Sequence, residues 1–530
     1  MNDARPALND ARPALNVMIR HIRLRAILIR ALIPCAFAVT ATRAAAQTTA
    51  AAAPAHPTGT AEVAPRVDTL ALRAHTRFLA DDQLAGRGTG TQGERLAAAY
   101  IATQLERLGL AKLGADTSFL LPIPLREARI DAASHVTIRS GADSAVFRSG
   151  RDFIVNTGGA GAFRNFAGGA HFLGQPLHAG ARLAREPSLD GRVAVFLGPL
   201  GGSAIELIPA LIRAGVTGIV LLVPDPGQYD LYVRSRGETR FFVDAPVDDP
   251  VWQPPLPVLI AGPAMTAALL DGARLPESLI QSDEGQGVDL ARTVAASIRA
   301  DVRTVPAANV GAVLRGSDPA LRDEYVIYTA HYDHLGISTP DASGDTIYNG
   351  FSDNAAGVAM ILAIAEALRD APPARSTAFL FFTGEERGLL GSAYMASAPP
   401  LPLDRVSALI NLDAGAPPAP PLNWRIAGGM GTPLGQLAAD VAARYGWSAA
   451  LSAASPNSDY WPFLQRGVPA IFIIPGDNWE NISPDERDAL RRRWDRYHQA
   501  GDHWHRDFPF AGLQRYAEYA LAIGVAAADR

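Results

Sequence analysis

From about Thr293 to the C-terminus the sequence repeats one pattern: a short, continuously apolar run, a loop, then an apolar stretch at helical spacing. Apolar runs of strand length with no polar alternation suit strands buried on both faces. "EYVIYTA" (Glu324–Ala330), "STAFLFFT" (Ser376–Thr383), "VSALINL" (Val406–Leu412) and "VPAIFIIPG" (Val468–Gly476) are predicted strands. "NAAGVAMILAIAEALRD" (Asn354–Asp370), with Asp353 at its N-cap position, "TPLGQLAADVAARYG" and "AGLQRYAEYALAIGVAAA" are predicted helices. This alternation predicts an α/β unit with a central mixed, mostly parallel sheet flanked by helices.

The predicted strands share a second property: ionisable residues follow them. The first leads into His331 and Asp333, and the helix after it begins at Asp353. The next leads into the adjacent pair Glu385 and Glu386, and the one after into Asp413. Near the C-terminus "RYHQAGDHWH" offers His498, His503 and His505. Ligands of open α/β sheets bind at the carboxyl ends of strands, so one site could gather these groups. Converging carboxylates without cations repel one another and titrate upward. One or two divalent ions would neutralise them. His and carboxylate donors without a thiolate suit zinc and leave manganese and cobalt open. Two ions about 3.5–4 Å apart would activate a water and polarise a carbonyl oxygen, with a further carboxylate accepting the proton.

The rest of the chain narrows the setting. With 48% hydrophobic residues, its 530 residues can bury a sizeable core. A net charge of −5 with no strong asymmetry argues against a nucleic-acid partner or an anionic membrane surface. "NDARPAL" occurs at Asn2–Leu8 and again at Asn9–Leu15, a local duplication or over-extended start that makes Met18 the expected initiator. Basic Arg20, Arg23 and Arg25, the apolar "AILIRALIPCAFAVTA" and then "RAAAQ" form the pattern of a secretory signal. Residues 1–46 are read as that signal, with cleavage near Ala46–Gln47 and export to the periplasm or the medium. Arg30 and Pro34 interrupt the apolar run, which is short against the roughly 20 residues of a membrane span, so no stable span is expected after cleavage. Cys35, the only cysteine, lies inside the signal. The processed chain would have no disulfide and no thiolate, and any metal would be held by His, Asp and Glu. Residues 47–65, rich in Ala, Thr and Pro, read as a flexible leader.

Residues 66–125 carry two helical stretches, "VDTLALRAHTRFLADDQL" and "GERLAAAYIATQLERLGL", around the glycine-rich "AGRGTGTQG". No strand precedes these glycines and no Gly-Lys-Ser follows, so a turn between helices is expected rather than a phosphate loop. From about Arg126 to Asp289 short strand-like runs surround a β-α-β unit: Arg192–Gly198, Ser203–Gly215 and Thr217–Val223. This stretch has no cluster of His and carboxylates and reads as an inserted, non-catalytic α+β domain over residues 126–289. Residues 290–530 then carry the main part of the α/β unit.

"TAHYDHLG", "NGFSDNAAGVAMILAIAEAL", "FFTGEERGLLGS", "INLDAG", "SDYWPFLQRGVPAIF" and "YHQAGD" follow one another within Tyr325–Asp502. In these pieces the sequence resembles the co-catalytic zinc aminopeptidases of the secreted bacterial and fungal leucine-aminopeptidase type, related to glutamate carboxypeptidase and glutaminyl cyclase. The insert resembles a protease-associated domain. The resemblance implies the phosphorylase/hydrolase-like fold, two zinc ions and peptide substrates. It implies that Asp353 bridges the ions, with His331 and Asp413 completing one set and Glu386 and His498 the other. Glu385 would be the general base, and Asp333 would fix the His331 tautomer by a hydrogen bond. His503 and His505 compete with His498, which is favoured by Tyr497 before it and Asp502 four residues on. Tyr460 stands where many relatives carry His, and Asp459 is expected to buttress the pocket. Tyr460, Trp461, Phe463, Trp479 and Tyr497 could form an apolar side-chain pocket. The expected activity is that of a secreted zinc aminopeptidase. A carboxypeptidase-like or cyclase-like relative, or a non-catalytic binding protein on the same fold, are the alternatives.

Overall fold

The computed structural model describes residues 66–113, 118–156, 159–198, 207–245, 254–282 and 284–530. The expected signal, Cys35, Met18 and the leader lie outside them. A nine-stranded mixed sheet carries the site. Its principal strands are β1 (Ala307–Leu314), β2 (Tyr325–His331), β3 (Ser376–Phe382), β4 (Val406–Asn411), β5 (Asn423–Ala427), β6 (Ser448–Ser452) and β7 (Ala470–Pro475). The order is Ala111–Lys112, β1, β3, β2, β4, β7, β5, β6, with Leu120–Ile123 also pairing with β1. The central four, β3, β2, β4 and β7, are parallel. Antiparallel β1 and β5 flank them.

The apolar runs are continuous because helices cover both faces. Every residue of β3 is buried. Successive side chains alternate across the sheet. Phe379 and Phe381 join one core with α1 (Thr69–Leu79), α2 (Gln92–Arg107), α3 (Ala356–Leu368), α5 (Pro433–Arg444) and α8 (Ala511–Ala528). Ala378, Leu380 and Phe382 join a second core with α4 (Leu390–Ser397) and α6 (Tyr460–Leu464). Phe351–Leu368 is the one segment among the described residues long and apolar enough to cross a membrane, and 83% of it is buried inside the protein. Asp353 is not the cap of α3: Ala355 is, and residues 351–355 form a separate wide turn before it. That turn leaves the Asp353 carboxylate free to face other groups.

A second sheet of eight strands lies between residues 135 and 297. Four of its strands, Phe166–Phe172, Val193–Leu197, Gly218–Leu222 and Val258–Ala261, are parallel neighbours. Val288–Ser297 pairs with both His135–Ser140 and Phe166–Phe172, so Asp289, where the insert was expected to close, lies within a strand. A three-stranded sheet joins Thr239–Val243, Leu125–Ile130 and Ala300–Thr304.

Helix α8 approaches β2 so closely that a Cβ at Gly524 would fall 1.8 Å from the Tyr328 hydroxyl oxygen. Gly524→Ala is expected to destabilise the protein by about 1–3 kcal/mol through overpacking. Urea denaturation measures this loss, and adding Tyr328→Phe should recover part of it.

Candidate metal centre

Strands β3, β2 and β4 are adjacent and parallel, so their carboxyl ends open on the same edge. His331 is the last residue of β2, and Asp413 follows β4 by one residue after Leu412. After β3 the chain turns at Gly384, whose φ of 68° lies in the left-handed region that glycine adopts without strain. The turn delivers Glu385 and Glu386. Asp353 comes from the wide turn before α3. His498 comes from the loop between α7 (Pro484–Trp494) and α8, with a left-handed φ of 55°. A non-glycine residue held there costs about 1–3 kcal/mol and is found most often at functional sites.

Two donor sets result, and both contain Asp353. On one side the His331 Nε2 lies 3.1 Å from Asp353 Oδ1 and 2.8 Å from Asp413 Oδ1. On the other the His498 Nε2 lies 3.1 Å from Asp353 Oδ2 and 3.3 Å from Glu386 Oε2. His334 joins the second side, with its Nδ1 2.6 Å from Glu386 Oε1 and 3.9 Å from Asp353 Oδ2. His334 is fully buried, and neither of its ring nitrogens nor Glu386 Oε1 has an aligned hydrogen bond. Imidazole nitrogens and carboxylate oxygens converging in this way fit divalent cations, zinc among them. His503 and His505 pair with each other at a ring separation of 6.5 Å, and His505 accepts a hydrogen bond from the Asp507 amide.

Several supporting contacts escape a reading of the sequence. The Asp502 carboxylate accepts the amides of Ser352 and Asp353 at 3.0 and 3.2 Å, while its carbonyl accepts the Phe351 amide. Asp502 thereby ties the loop that carries His498 to the turn that carries Asp353. The Ser458 hydroxyl donates to Asp413 Oδ2 and accepts from the Asn411 side-chain amide. Asp333 serves His331 through its backbone carbonyl, 3.1 Å from Nδ1, with its Oδ1 at 3.6 Å. The Asp333 carboxylate instead accepts the Thr89 hydroxyl at 2.7 Å and the Glu385 amide at 3.1 Å.

Burial holds the Glu385 carboxyl well above the usual range, with the His331 cation opposing and Asp413, Glu386 and Asp459 adding to the rise. Asp459 is pushed up to about 7, by burial first. Burial and Asp353 also press on Glu386, but the imidazoles of His334 and His498 outweigh them and bring it down to about 2. Burial disfavours the His498 cation, yet Asp353 and Glu386 raise that imidazole to about 10.

A cleft of about 570 Å³ opens on the site and is lined by Asp353 and Asp413 together with Phe472, Ile474, Trp479 and Tyr497. Of the aromatic residues expected in a pocket, Trp479 and Tyr497 line this cleft. Tyr460, Trp461 and Phe463 are buried on α6, and the Tyr460 hydroxyl donates to the Ser455 carbonyl at 2.8 Å.

Fold and donor set together define an α/β protein with a candidate metal site at the carboxyl edge of its sheet. Residues 309–524 match the model of peptidase family M28. A probable zinc metalloprotease of Pyrenophora tritici-repentis is 30% identical over 198 residues, covering 36% of this chain and 42% of that protein. Aminopeptidase YwaD of Bacillus subtilis is 26% identical over 190 residues, covering 34% of this chain and 39% of that protein. The chain therefore spans less than half the length of these curated relatives. A solved aminopeptidase from Aneurinibacillus sp. strain AM-1 shares the fold, with a TM-score of 0.51 and 17% identity over 87% of this chain and 94% of that one.

A metal ligand must offer a neutral imidazole. His498, raised to about 10 in the metal-free protein, is protonated at neutral pH. Zinc loading is expected to release protons there, and zinc affinity to increase as pH rises through neutrality. Calorimetric titration in two buffers of different ionisation enthalpy measures the release. Identical heats in both would contradict it.

Proposed function

We propose that this protein is an exported, zinc-dependent aminopeptidase that removes N-terminal residues from peptides. The observation that carries the reading is Asp353, whose two oxygens face two separate His–carboxylate sets. In this reading His331 and Asp413 would hold one zinc ion and Glu386 and His498 a second, with Asp353 available to both sets. When bound, the ions would supply Lewis acidity toward the peptide carbonyl and toward water. Glu385, beside both sets, accepts the proton of the attacking water on its carboxylate and returns it to the leaving amine. Its burial among other carboxylates suits a group that must hold a proton part of the time. Asp333 keeps the His331 ring in one tautomer through its carbonyl, leaving Nε2 to face Asp353 and Asp413. Trp479, Tyr497, Phe472 and Ile474 give the substrate an apolar wall. Export is supported by the basic, apolar and small-residue succession from Arg20 to Gln47. Arg425 lines the same cleft and favours a second reading, a carboxypeptidase-type enzyme that holds a terminal carboxylate.

Hydrolysis of leucyl-nitroanilide compared with its N-acetylated form separates the two readings. Cleavage of the free-amine substrate alone, abolished by a chelator and restored by zinc, is the expected result. Cleavage of N-blocked peptides from the C-terminus instead would favour the second reading. Glu385→Gln should retain zinc and lose about 10²–10⁴-fold in turnover. A variant with full activity would remove Glu385 from the reaction.

A further inference from the structure

The glycine-rich segment at residues 85–89 lies outside the stretch that matches the peptidase family, more than two hundred residues before it in the chain. It reads as a bland turn, yet it contains a fully buried arginine. Arg87 is 0% exposed. Its guanidinium makes no carboxylate ion pair among the described residues. It donates instead to backbone carbonyls: Nε to Tyr332 at 2.8 Å, Nη1 to Asn349 at 2.6 Å and to Leu79, and Nη2 to Gly350 at 2.9 Å. Tyr332 lies between His331 and Asp333, and Asn349 and Gly350 lead directly into the turn that presents Asp353.

The same segment grips these loops with its backbone. The His334 amide donates to the Arg87 carbonyl at 3.1 Å, Gly88 bridges to His334, and the Thr89 hydroxyl reaches Asp333. Ala85, Gly86 and Arg87 have left-handed φ values of 46°, 67° and 49°. A Cβ at Gly86 would lie 2.4 Å from the Tyr348 carbonyl and 2.6 Å from that of Gly336. The backbone is thus pressed against the β2–α3 connection, and two non-glycine residues, Ala85 and Arg87, hold an uncommon conformation on either side of Gly86.

We propose that Arg87 is a positioning residue for the metal centre, a clasp that fixes the spacing between the loop of His331 and the turn of Asp353. This rests on the metal-binding reading of the site. The planar guanidinium suits the task because its donors diverge in fixed directions and can bridge carbonyls on two loops at once; a lysine ammonium of the same charge cannot reproduce that fork. Its charge also faces Asp353, Asp333, Asp502 and Glu386 and offsets part of their mutual repulsion.

The test compares zinc affinity, by competition with a chromophoric chelator, in the full chain and in its Arg87→Lys, Arg87→Met and Thr89→Val variants, with far-UV circular dichroism as the check on folding. Folded Arg87→Lys and Arg87→Met are both expected to bind zinc about 10–100-fold more weakly, with kcat reduced and KM little changed. Thr89→Val should weaken zinc binding less. Melting temperatures lowered while zinc affinity stays at the wild-type value would overturn the proposal and make Arg87 a pin of the fold alone. Full zinc affinity in Arg87→Lys would overturn the directional argument, since charge would then suffice. If neither Arg87 variant folds, Thr89→Val decides: weakened zinc binding supports the clasp and unchanged binding overturns it. A wild-type protein that binds no zinc overturns the metal reading and the proposal with it, a result distinct from every variant-specific outcome.

Discussion

Asp353 is only 7% exposed and is shared between two imidazoles, each about 3.1 Å away. Around it Glu385, Glu386, Asp413 and Asp459 bring further negative charge into a poorly solvated space, where like charges interact far more strongly than in water. Each of the surrounding features can be understood as a response to that concentration of charge. Parallel strands let β3, β2 and β4 deliver their donors on one edge. The wide turn at 351–355 releases Asp353 from a capping role. Asp502, Ser458 and Thr89 fix carboxylates or their backbone by hydrogen bonds, so that the donors keep their places before any cation arrives. A site organised in this way loses little to reorganisation on binding a metal.

Much of this is legible in the sequence, for a physical reason. A strand buried on both faces must be apolar throughout, so an ionisable residue just past its end stands out. His331, Glu385, Glu386 and Asp413 are visible on that ground. The last two strands at one end of the sheet give no such signal: Asn423–Ala427 and Ser448–Ser452 mix polar and apolar residues because that end is less covered. Supporting groups are invisible for another reason. Ser458 and Thr89 are ordinary polar residues whose importance lies in partners far along the chain. Aromatic residues are equally ambiguous, since Trp461 and Trp479 look alike in sequence while one is buried on α6 and the other walls the cleft. Arg87 is the clearest case. An arginine among glycines suggests solvent exposure, and only the burial of four carbonyl contacts reveals otherwise.

The three-stranded sheet bears on the site from behind. The residues lining the cleft come from the turns at 352–353, 413–418 and 457, from β5 and β7, and from the 476–497 stretch; none of the described residues of the second sheet is among them. The contact runs elsewhere. Ile123, Leu125, Val243 and Val305 pack with Leu390 of α4, with Phe241 and Tyr394 at the margin. The Arg387 guanidinium lies 5.5 Å from the centre of the Phe241 ring. Arg387 adjoins Glu386, and Leu390 opens the helix that follows the glutamate turn. The three-stranded sheet is therefore braced against the back of the segment that carries both glutamates. An influence of the three-stranded sheet on the chemistry would act by setting the position of that turn, since none of its described residues lines the cleft.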